Sequence, residues 1–149
     1  MLETDVHQLV AILLEDGFES VYDTDQNSVY GLLESDFGDI YSLYQGQAGC
    51  ISSYCVFQPK IPPSATDKIQ TYLDGLNKEN PSGRFYVDPT LSRLVYEVIY
   101  QLPEKADSWS LDLFCRYSYF PLKSQRQMLY WLITGKMVKK QNEEIITSR

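Results

Sequence analysis

The hydrophobic positions of the first segment repeat with the period of an α-helix. This spacing predicts a helix over about residues 5–16, with one buried apolar side. Thr4 or Asp5 can cap its start, and Gly17 is typical of the position that follows a helix end. The apolar residues on that side are Val6, Leu9, Val10, Leu13 and Leu14.

Several short segments rich in β-branched and aromatic residues follow this helix. Turn-forming residues such as the Asp25–Ser28 cluster separate each segment from the next, at a spacing of about ten residues. This pattern predicts an antiparallel meander of three or four strands. The segments are 18–23, 28–34, 39–44 and 50–58.

Prolines end the strand region, because proline has no N–H to donate to a sheet. They are Pro59, Pro62 and Pro63. An amphipathic pattern then predicts a second helix that ends at about Glu79, with Ser64 or Thr66 as its cap. The turn residues 80–83 follow it, and a hairpin is predicted from strands 84–87 and 92–102.

The C-terminal part of the chain has a helical pattern. Asp107 or Ser108 can cap a helix that Pro121 interrupts, and a second helical piece is predicted from Leu122 to about Lys140. A polar tail starts at about residue 141. Helices and strands are segregated along the chain, so we expect an α+β fold in which helices flank a single antiparallel sheet, as one domain over 1–149.

The charge of the chain excludes some classes of partner. The net charge is −7 over 149 residues, and residues 1–59 contain ten acids and no Lys or Arg. An acidic surface of this kind argues against binding to duplex nucleic acid or to an anionic membrane, although a local basic patch at residues 136–140 stays possible.

No segment has the roughly 20 apolar residues of a membrane span, and the N-terminus lacks the basic region of a secretion signal. Three cysteines do not make a disulfide framework, so we expect a cytoplasmic protein.

The usual signatures of catalysis and of metal or phosphate binding are absent from the sequence. His7 is the single histidine, so any catalytic Cys–His or Ser–His pair would have to use it. Cys50 and Cys55 are five residues apart and fall on opposite faces of a strand, which does not suit a shared metal. Gly46–Gly49 lacks the phosphate-loop pattern. The sequence therefore predicts no catalytic residue, no cofactor site and no metal site.

Tyrosines in the predicted strands are the candidate binding residues. A tyrosine ring with a polar tip suits a half-exposed recognition surface, provided that several tyrosines share the sheet face that helices leave uncovered. The alternative is that they cover the core rim and the sheet edge. The candidates are Tyr41, Tyr44, Tyr54, Tyr96 and Tyr100.

An arrangement of short motifs in the middle of the chain resembles YbjN-like domains, a group also named as sensory-transduction regulators and as a cyanobacterial domain of unknown function. Four stretches carry the resemblance, and the similar order of elements extends it over about residues 5–135. The stretches are Gln58–Pro63, Leu76–Asn80, Gly83–Asp88 and Leu94–Glu97.

The resemblance implies a fold similar to type III secretion chaperones, with helices that flank one antiparallel sheet. Dimers are common among those chaperones, and the resemblance brings no catalytic residue with it. The chain departs from the family pattern after Leu102, because residues 103–108 lack glycine and Pro121 divides the helical region. This departure leaves the dimer geometry and the C-terminal partner surface open.

Three functional hypotheses follow. The first is a non-enzymatic module that binds an unidentified protein, chaperone-like or regulatory, through its open sheet face or an edge strand. The second is a small-molecule sensor or an enzyme with a pocket between helices and sheet. The third is a homodimer whose exposed aromatic residues serve self-association.

Overall fold

The computed structural model describes residues 1–101 and 108–136, and it confirms the expected order of elements. Four strands form the first block, where three or four were expected, and a one-turn helix at Pro63–Ala65 precedes α2. The elements are α1 (Glu3–Glu15), β1 (Glu19–Asp23), β2 (Ser28–Leu33), β3 (Ile40–Gln47), β4 (Cys50–Phe57), α2 (Thr66–Glu79), β5 (Arg84–Asp88), β6 (Arg93–Gln101) and α3 (Ser108–Thr134). The predicted tail from residue 141 lies outside the described residues.

The six strands form one antiparallel sheet in the order β1-β2-β3-β4-β6-β5. The meander contributes β1 to β4, and the later hairpin joins through β6, which pairs with β4 from Cys50 opposite Gln101 to Phe57 opposite Leu94. This topology places β1 and β5 at the two edges. The predicted α+β class with a single antiparallel sheet is therefore confirmed.

All three helices pack against the same face of the sheet. Their apolar stripes, which the sequence pattern predicted, meet the buried side chains of the central strands, and both sets belong to one core. Fully buried members from helices and strands include Leu9, Leu13, Leu73, Leu122, Ile40, Phe57 and Tyr96. None of the described helices has the length and apolar character that a membrane span requires.

The C-terminal end of α1 follows the expected capping chemistry, but its start does not. Leu2 is the N-cap residue, and the predicted caps Thr4 and Asp5 lie inside the helix. The helix begins at Glu3, two residues before the prediction, because the Asp5 carboxylate accepts a hydrogen bond of 2.9 Å from the backbone N–H of Leu2. Gly17 ends the helix with a φ of +92°, a backbone conformation that favours glycine. The N–H of Phe18 then donates to the Leu13 carbonyl oxygen at 2.9 Å.

Pro121 does not interrupt the C-terminal helix, contrary to the sequence-based expectation. α3 is a single helix of 27 residues with Pro121 inside it. Proline removes the N–H that would donate to the carbonyl oxygen of Tyr117. Tyr117 is exposed, so water can reach this part of the helix, while the buried proline ring adds to the apolar side of α3.

A cluster of charged groups joins α3 to the end of α1. The Arg116 guanidinium contacts Asp112 at 2.6 Å, Asp16 at 3.3 Å and Glu15 at 3.4 Å. The Tyr119 hydroxyl donates to the same Asp16 carboxylate. Burial and this hydrogen bond both raise the pKa of Tyr119, so the phenol remains a protonated donor.

The outer edge of β5 is closed by a side chain from α2. The backbone N–H of Phe85 donates to Asn77 Oδ1 at 2.6 Å, and Asn77 Nδ2 donates to the Phe85 carbonyl oxygen at 3.0 Å. The amide therefore occupies the hydrogen-bonding positions that a further strand would use at Phe85. An edge strand closed in this way is protected from pairing with other chains.

Replacement of Asn77 tests this edge. We expect Asn77→Ala to lower the free energy of unfolding by about 1–3 kcal/mol, because the Phe85 N–H and carbonyl lose their partners at a half-buried position. Urea denaturation followed by circular dichroism measures the change. The exposed neighbour Lys78 is the matched control, and Lys78→Ala should change the stability by about 0.5 kcal/mol or less. Equal losses in the two variants would contradict the assigned role.

Candidate functional site

The sheet face that the helices leave uncovered, here called the open face, carries two rows of mostly apolar and aromatic side chains. The strand registers place the members of each row opposite one another, so that each row crosses five strands. Strands are about 4.8 Å apart, so each row is roughly 19 Å long. The rows are Leu32-Tyr41-Val56-Val95-Tyr86 and Tyr30-Leu43-Tyr54-Glu97-Arg84.

A groove of about 520 Å³ lies over the middle of these rows. Its apolar part comes from both rows and from Leu91, which is 41% exposed. Polar groups at Gln58, Asp88 and Arg93 line the rest. Arg93 is held in place because its Nε donates to the Gln58 carbonyl oxygen at 2.9 Å. We call this feature the open-face groove.

Tyr86 is held at the β5 side of the groove by its neighbours. The Arg84 guanidinium carbon lies 4.6 Å from the centroid of the Tyr86 ring, a cation–π distance. The Tyr86 hydroxyl donates to Glu97 Oε2 at 3.5 Å. Burial and the Glu97 carboxylate raise the pKa of Tyr86, so the phenol is neutral at physiological pH.

Tyr41 meets the tyrosine of the neighbouring strand on the same face. The ring centroids of Tyr30 and Tyr41 are 6.0 Å apart, an aromatic pair that favours a fixed ring position. Burial raises the pKa of Tyr41, and the neighbouring Tyr30 adds to the effect. Tyr41 therefore presents a ring in a fixed position with a neutral hydroxyl group on the open face.

The structure separates the five candidate tyrosines into two groups. Tyr41 and Tyr54 lie on the open face and line the groove. Tyr44, Tyr96 and Tyr100 lie on the helix-covered face, so the expectation of one shared exposed surface is wrong for these three. The reason is strand parity, because successive side chains point to opposite faces of a sheet. Tyr44 is 0% exposed and Tyr96 is 1% exposed.

Tyr44 forms the centre of a buried polar cluster beneath α3. Its hydroxyl is 2.5 Å from Ser118 Oγ, and the Cys115 thiol donates to it at 3.7 Å. The Phe114 ring meets the Tyr44 ring edge-on, with 6.0 Å between the ring centroids. Burial is the main cause that raises the pKa of Tyr44 well above its ordinary value. These contacts give Tyr44 a structural role in joining β3 to α3.

Tyr100 and Tyr96 have core contacts of the same kind. The Tyr100 ring stacks on Phe114, with 4.9 Å between the centroids. Tyr96 packs on Phe85, with 4.4 Å between the centroids. Both tyrosines therefore contribute to helix–sheet packing, and their rings are directed away from the open face.

Buried thiols lie on the helix-covered face as well. Cys55 is 3.4 Å from Ser42 Oγ, and burial raises the pKa of both Cys55 and Cys115 to about 12. Cys50 lies at the start of β4 with its thiol near Gln47. His7 is exposed on α1, 4.0 Å from Glu3. Within residues 1–101 and 108–136, no three or more His, Cys, Asp and Glu side chains converge as metal ligands.

Sequence reasoning missed several residues of the groove. Leu43, Val56, Tyr86 and Val95 line it together with the two predicted tyrosines. Part of the signal was available in the sequence. Leu43 and Val56 lie two residues from Tyr41 and Tyr54 on the same strands, so their side chains point to the same face. Tyr86 and Val95 are assigned to that face only once their strands are paired. The register between strands, which no local pattern shows, is what brings them together.

The two groups of tyrosines should differ in their contribution to stability. We expect Tyr44→Ala to lower the free energy of unfolding by about 3–5 kcal/mol, because it leaves a cavity and unpaired polar groups in the core. Tyr41→Ala, on the half-exposed open face of the same strand, should cost about 1 kcal/mol. Chemical denaturation measures both values. A larger loss for Tyr41→Ala than for Tyr44→Ala would contradict the assigned faces.

The three thiols should differ in reactivity. At pH 8 we expect Ellman's reagent to modify Cys50 in the folded protein, while Cys55 and Cys115 react only after unfolding, because both are buried and protonated. The raised pKa values also make stability depend on pH. Below about pH 9 the thiols are protonated in both the folded and the unfolded chain, and above it the unfolded chain loses these protons first and is favoured. Stability should therefore decrease as the pH rises from about 9 towards about 12. Rapid reaction of a second thiol in the folded protein would contradict this placement.

The fold has a counterpart among solved structures. The crystal structure of YbjN from E. coli, described there as "a putative transcription regulator", matches with a TM-score of 0.58 at 15% sequence identity. The match covers 80% of this chain and 87% of that chain. No family model matches the sequence, and no curated protein matches it. The six-stranded open sheet with three helices on one face is thus a YbjN-like fold, as the motif resemblance implied.

Proposed function

We propose that this protein is a non-enzymatic, protein-binding module, chaperone-like or regulatory, that holds an apolar segment of a partner protein in the open-face groove. The observation that carries the proposal is the composition of the open face. A sheet face that only meets water is usually polar, whereas here aromatic and aliphatic side chains cross five neighbouring strands.

The groove residues have the properties of binding residues. Tyr41, Tyr54 and Tyr86 are half-buried, so their rings have contacts on one side and solvent on the other. Tyrosine loses little conformational entropy when it is covered, and its hydroxyl can still form hydrogen bonds at the rim of an interface. Covering the apolar area of such a face contributes about 25 cal/mol for each Å² removed from water.

Charge indicates which kind of segment the groove would accept. The strands β1 to β4 come from the part of the chain that has ten acids and no Lys or Arg. Exposed acids on this side include Glu19 on β1, and Glu34 and Asp36 in the turn after β2. A partner segment with apolar residues at its centre and Lys or Arg beside them would be attracted to this side of the sheet.

The structural neighbour supports the regulatory form of the proposal. YbjN is described as "a putative transcription regulator", and it shares this fold over most of both chains. The net charge of −7 is unfavourable for direct contact with duplex DNA, because binding to phosphates needs a basic surface. A regulatory role for this chain would therefore act through a protein partner.

A small-molecule sensor is the second candidate, and the groove volume favours it. About 520 Å³ falls within the range of ligand sites, which is roughly 300–1,000 Å³. The groove lies on the open face and not between helices and sheet, where the sensor hypothesis placed its pocket. Core side chains such as Leu73, Phe57 and Tyr96 occupy that interior instead.

Substitution inside the groove tests the proposal. The probe is an array of synthetic 12-residue peptides with apolar centres, and with Lys, Glu or neither beside the centre. We expect the full-length protein to bind the Lys-flanked peptides best, and Tyr54→Glu to weaken their binding about tenfold or more, because it places a charge among the apolar rows.

The matched control is Val21→Glu, which adds the same charge to the open face of β1. Val21 is 66% exposed and lies outside the groove, so this variant should retain at least about half of the affinity. Circular dichroism confirms that both variants fold. Equal loss in the two variants, or no peptide binding by the unmodified protein, would count against the proposal. Binding of small aromatic fragments alone would favour the sensor.

A further inference from the structure

The backbone beneath the open-face groove is already paired on both sides. The floor of the groove comes from β3, β4 and β6, and each of these strands lies between two neighbours in the sheet. Their N–H and C=O groups point within the sheet towards those neighbours. A segment that lies on this floor therefore meets side chains and finds no strand with which to pair.

The two edges of the sheet do not supply that pairing either. β5 borders the groove through Tyr86 and Asp88, and on its outer edge the Asn77 amide occupies both backbone groups of Phe85. β1 lies at the other edge, two strands or about 10 Å beyond β3. A segment that paired with an edge strand would lie beside the sheet, so the groove would stay uncovered.

The polar groups of the groove already have hydrogen-bond partners. Asp88 Oδ1 accepts two backbone N–H groups of the turn that follows it, at 2.9 and 3.0 Å. Arg93 Nε donates to the Gln58 carbonyl oxygen at 2.9 Å, and the Tyr86 hydroxyl donates to Glu97 at 3.5 Å. An extended segment would bring one N–H and one C=O per residue against these mostly apolar surroundings, which is unfavourable for each group that stays unpaired. An α-helix pairs these groups internally.

The dimensions of the groove also match a helix. Along the strands the groove extends from Tyr54 to Gln58, which is four residues or about 14 Å. Across the strands it extends from β3 to β5, three strand spacings or about 14 Å. A helix with its side chains is about 10–12 Å wide, whereas a strand takes up about 4.8 Å. A helix therefore covers both apolar rows together, and an extended segment covers one.

The charges of the open face differ between its two sides. Glu19 lies on β1 opposite Leu32, at the end of the row that contains Tyr41. Glu34 follows the end of β2, and both acids are exposed. On the β5 side the open face carries the exposed cation of Arg84. Lys or Arg is therefore favoured on the helix flank that faces β1 and β2 over the flank that faces β5.

We propose, building on the protein-binding function above, that the open-face groove holds an amphipathic α-helix of a partner protein. The apolar side of this helix covers the two rows, and its Lys or Arg residues lie on the flank that faces Glu19 and Glu34. Such a helix buries the rows and keeps its own backbone groups paired, which an extended segment in the groove does not.

Peptides of identical composition test the conformation of the bound segment. Both have about 18 residues and blocked ends, and their Leu, Ala, Lys and Gln residues are ordered with a helical period in one and with strict alternation in the other. We expect the full-length protein to bind the helical-period peptide about tenfold more tightly or better. The circular dichroism of the mixture should show a gain of helix over the sum of its components.

The outcomes separate the helix from the protein-binding function as a whole. Equal or tighter binding of the alternating peptide, or a complex without added helix, would overturn the helix and leave the protein-binding function standing. The same conclusion would follow if the peptides of the 12-residue array bind and the helical-period peptide does not. No binding by any of these peptides would overturn both proposals.

Hydrogen–deuterium exchange locates the bound peptide. We expect the amides of residues 19–23 on β1 to exchange at the same rate with and without the helical-period peptide, because the helix leaves this edge free. Tyr54→Glu should weaken the binding of this peptide about tenfold or more. Slower exchange confined to β1 in the complex would mean that the peptide has added as a strand, and would overturn the helix in the groove.

Charge reversal tests the flank. At low ionic strength we expect a helical-period peptide with Lys on one flank to bind about threefold more tightly than the same peptide with Gln there. The double variant Glu19→Lys, Glu34→Lys should remove this preference. The matched control is Asp74→Lys on α2, an exposed acid on the helix side of the molecule, and this variant should retain the preference. A preference that persists in the double variant would overturn the assigned flank.

Discussion

The buried hydroxyl group of Tyr44 is the constraint on which the rest of the structure depends. A polar group at 0% exposure needs a partner, and Ser118 of α3 provides it at 2.5 Å. This pair fixes the position of α3 over the centre of the sheet. Once α3 is fixed there, Arg116 reaches the end of α1, and Phe114 packs between Tyr44 and Tyr100. The helix-covered face is thus specified by a hydrogen bond as well as by apolar area.

The same packing leaves the molecule with two exposed apolar surfaces on opposite sides. The three helices all cover one side of the sheet, so on the other side most members of the aromatic and aliphatic rows keep contact with solvent, and Val95 is the buried exception. α3 covers the sheet with one side and exposes a second apolar side.

Local signals in the sequence were reliable where they reported on one segment. The helical period of α1, the left-handed Gly17 and the turn chemistry between strands all correspond to structure. They failed where a distant contact decided the outcome. Pro121 was expected to break a helix, but the tertiary packing of α3 on both sides of it keeps the helix continuous. Asn77 belonged to the resembling motif, but only the fold shows that its amide closes the edge of β5.

The sequence by itself determined the class of fold, the order of the elements and the acidic character of the first half, because these follow from periodicity, turn residues and composition. The tertiary structure decided which tyrosines are available to a partner. Tyr41 and Tyr44 have similar neighbours in the chain and lie on the same strand. Because the two tyrosines are three residues apart, their side chains point to opposite faces of the sheet. The helices packed on one of these faces bury Tyr44 and leave Tyr41 on the face that meets solvent, and no local pattern shows which face they cover.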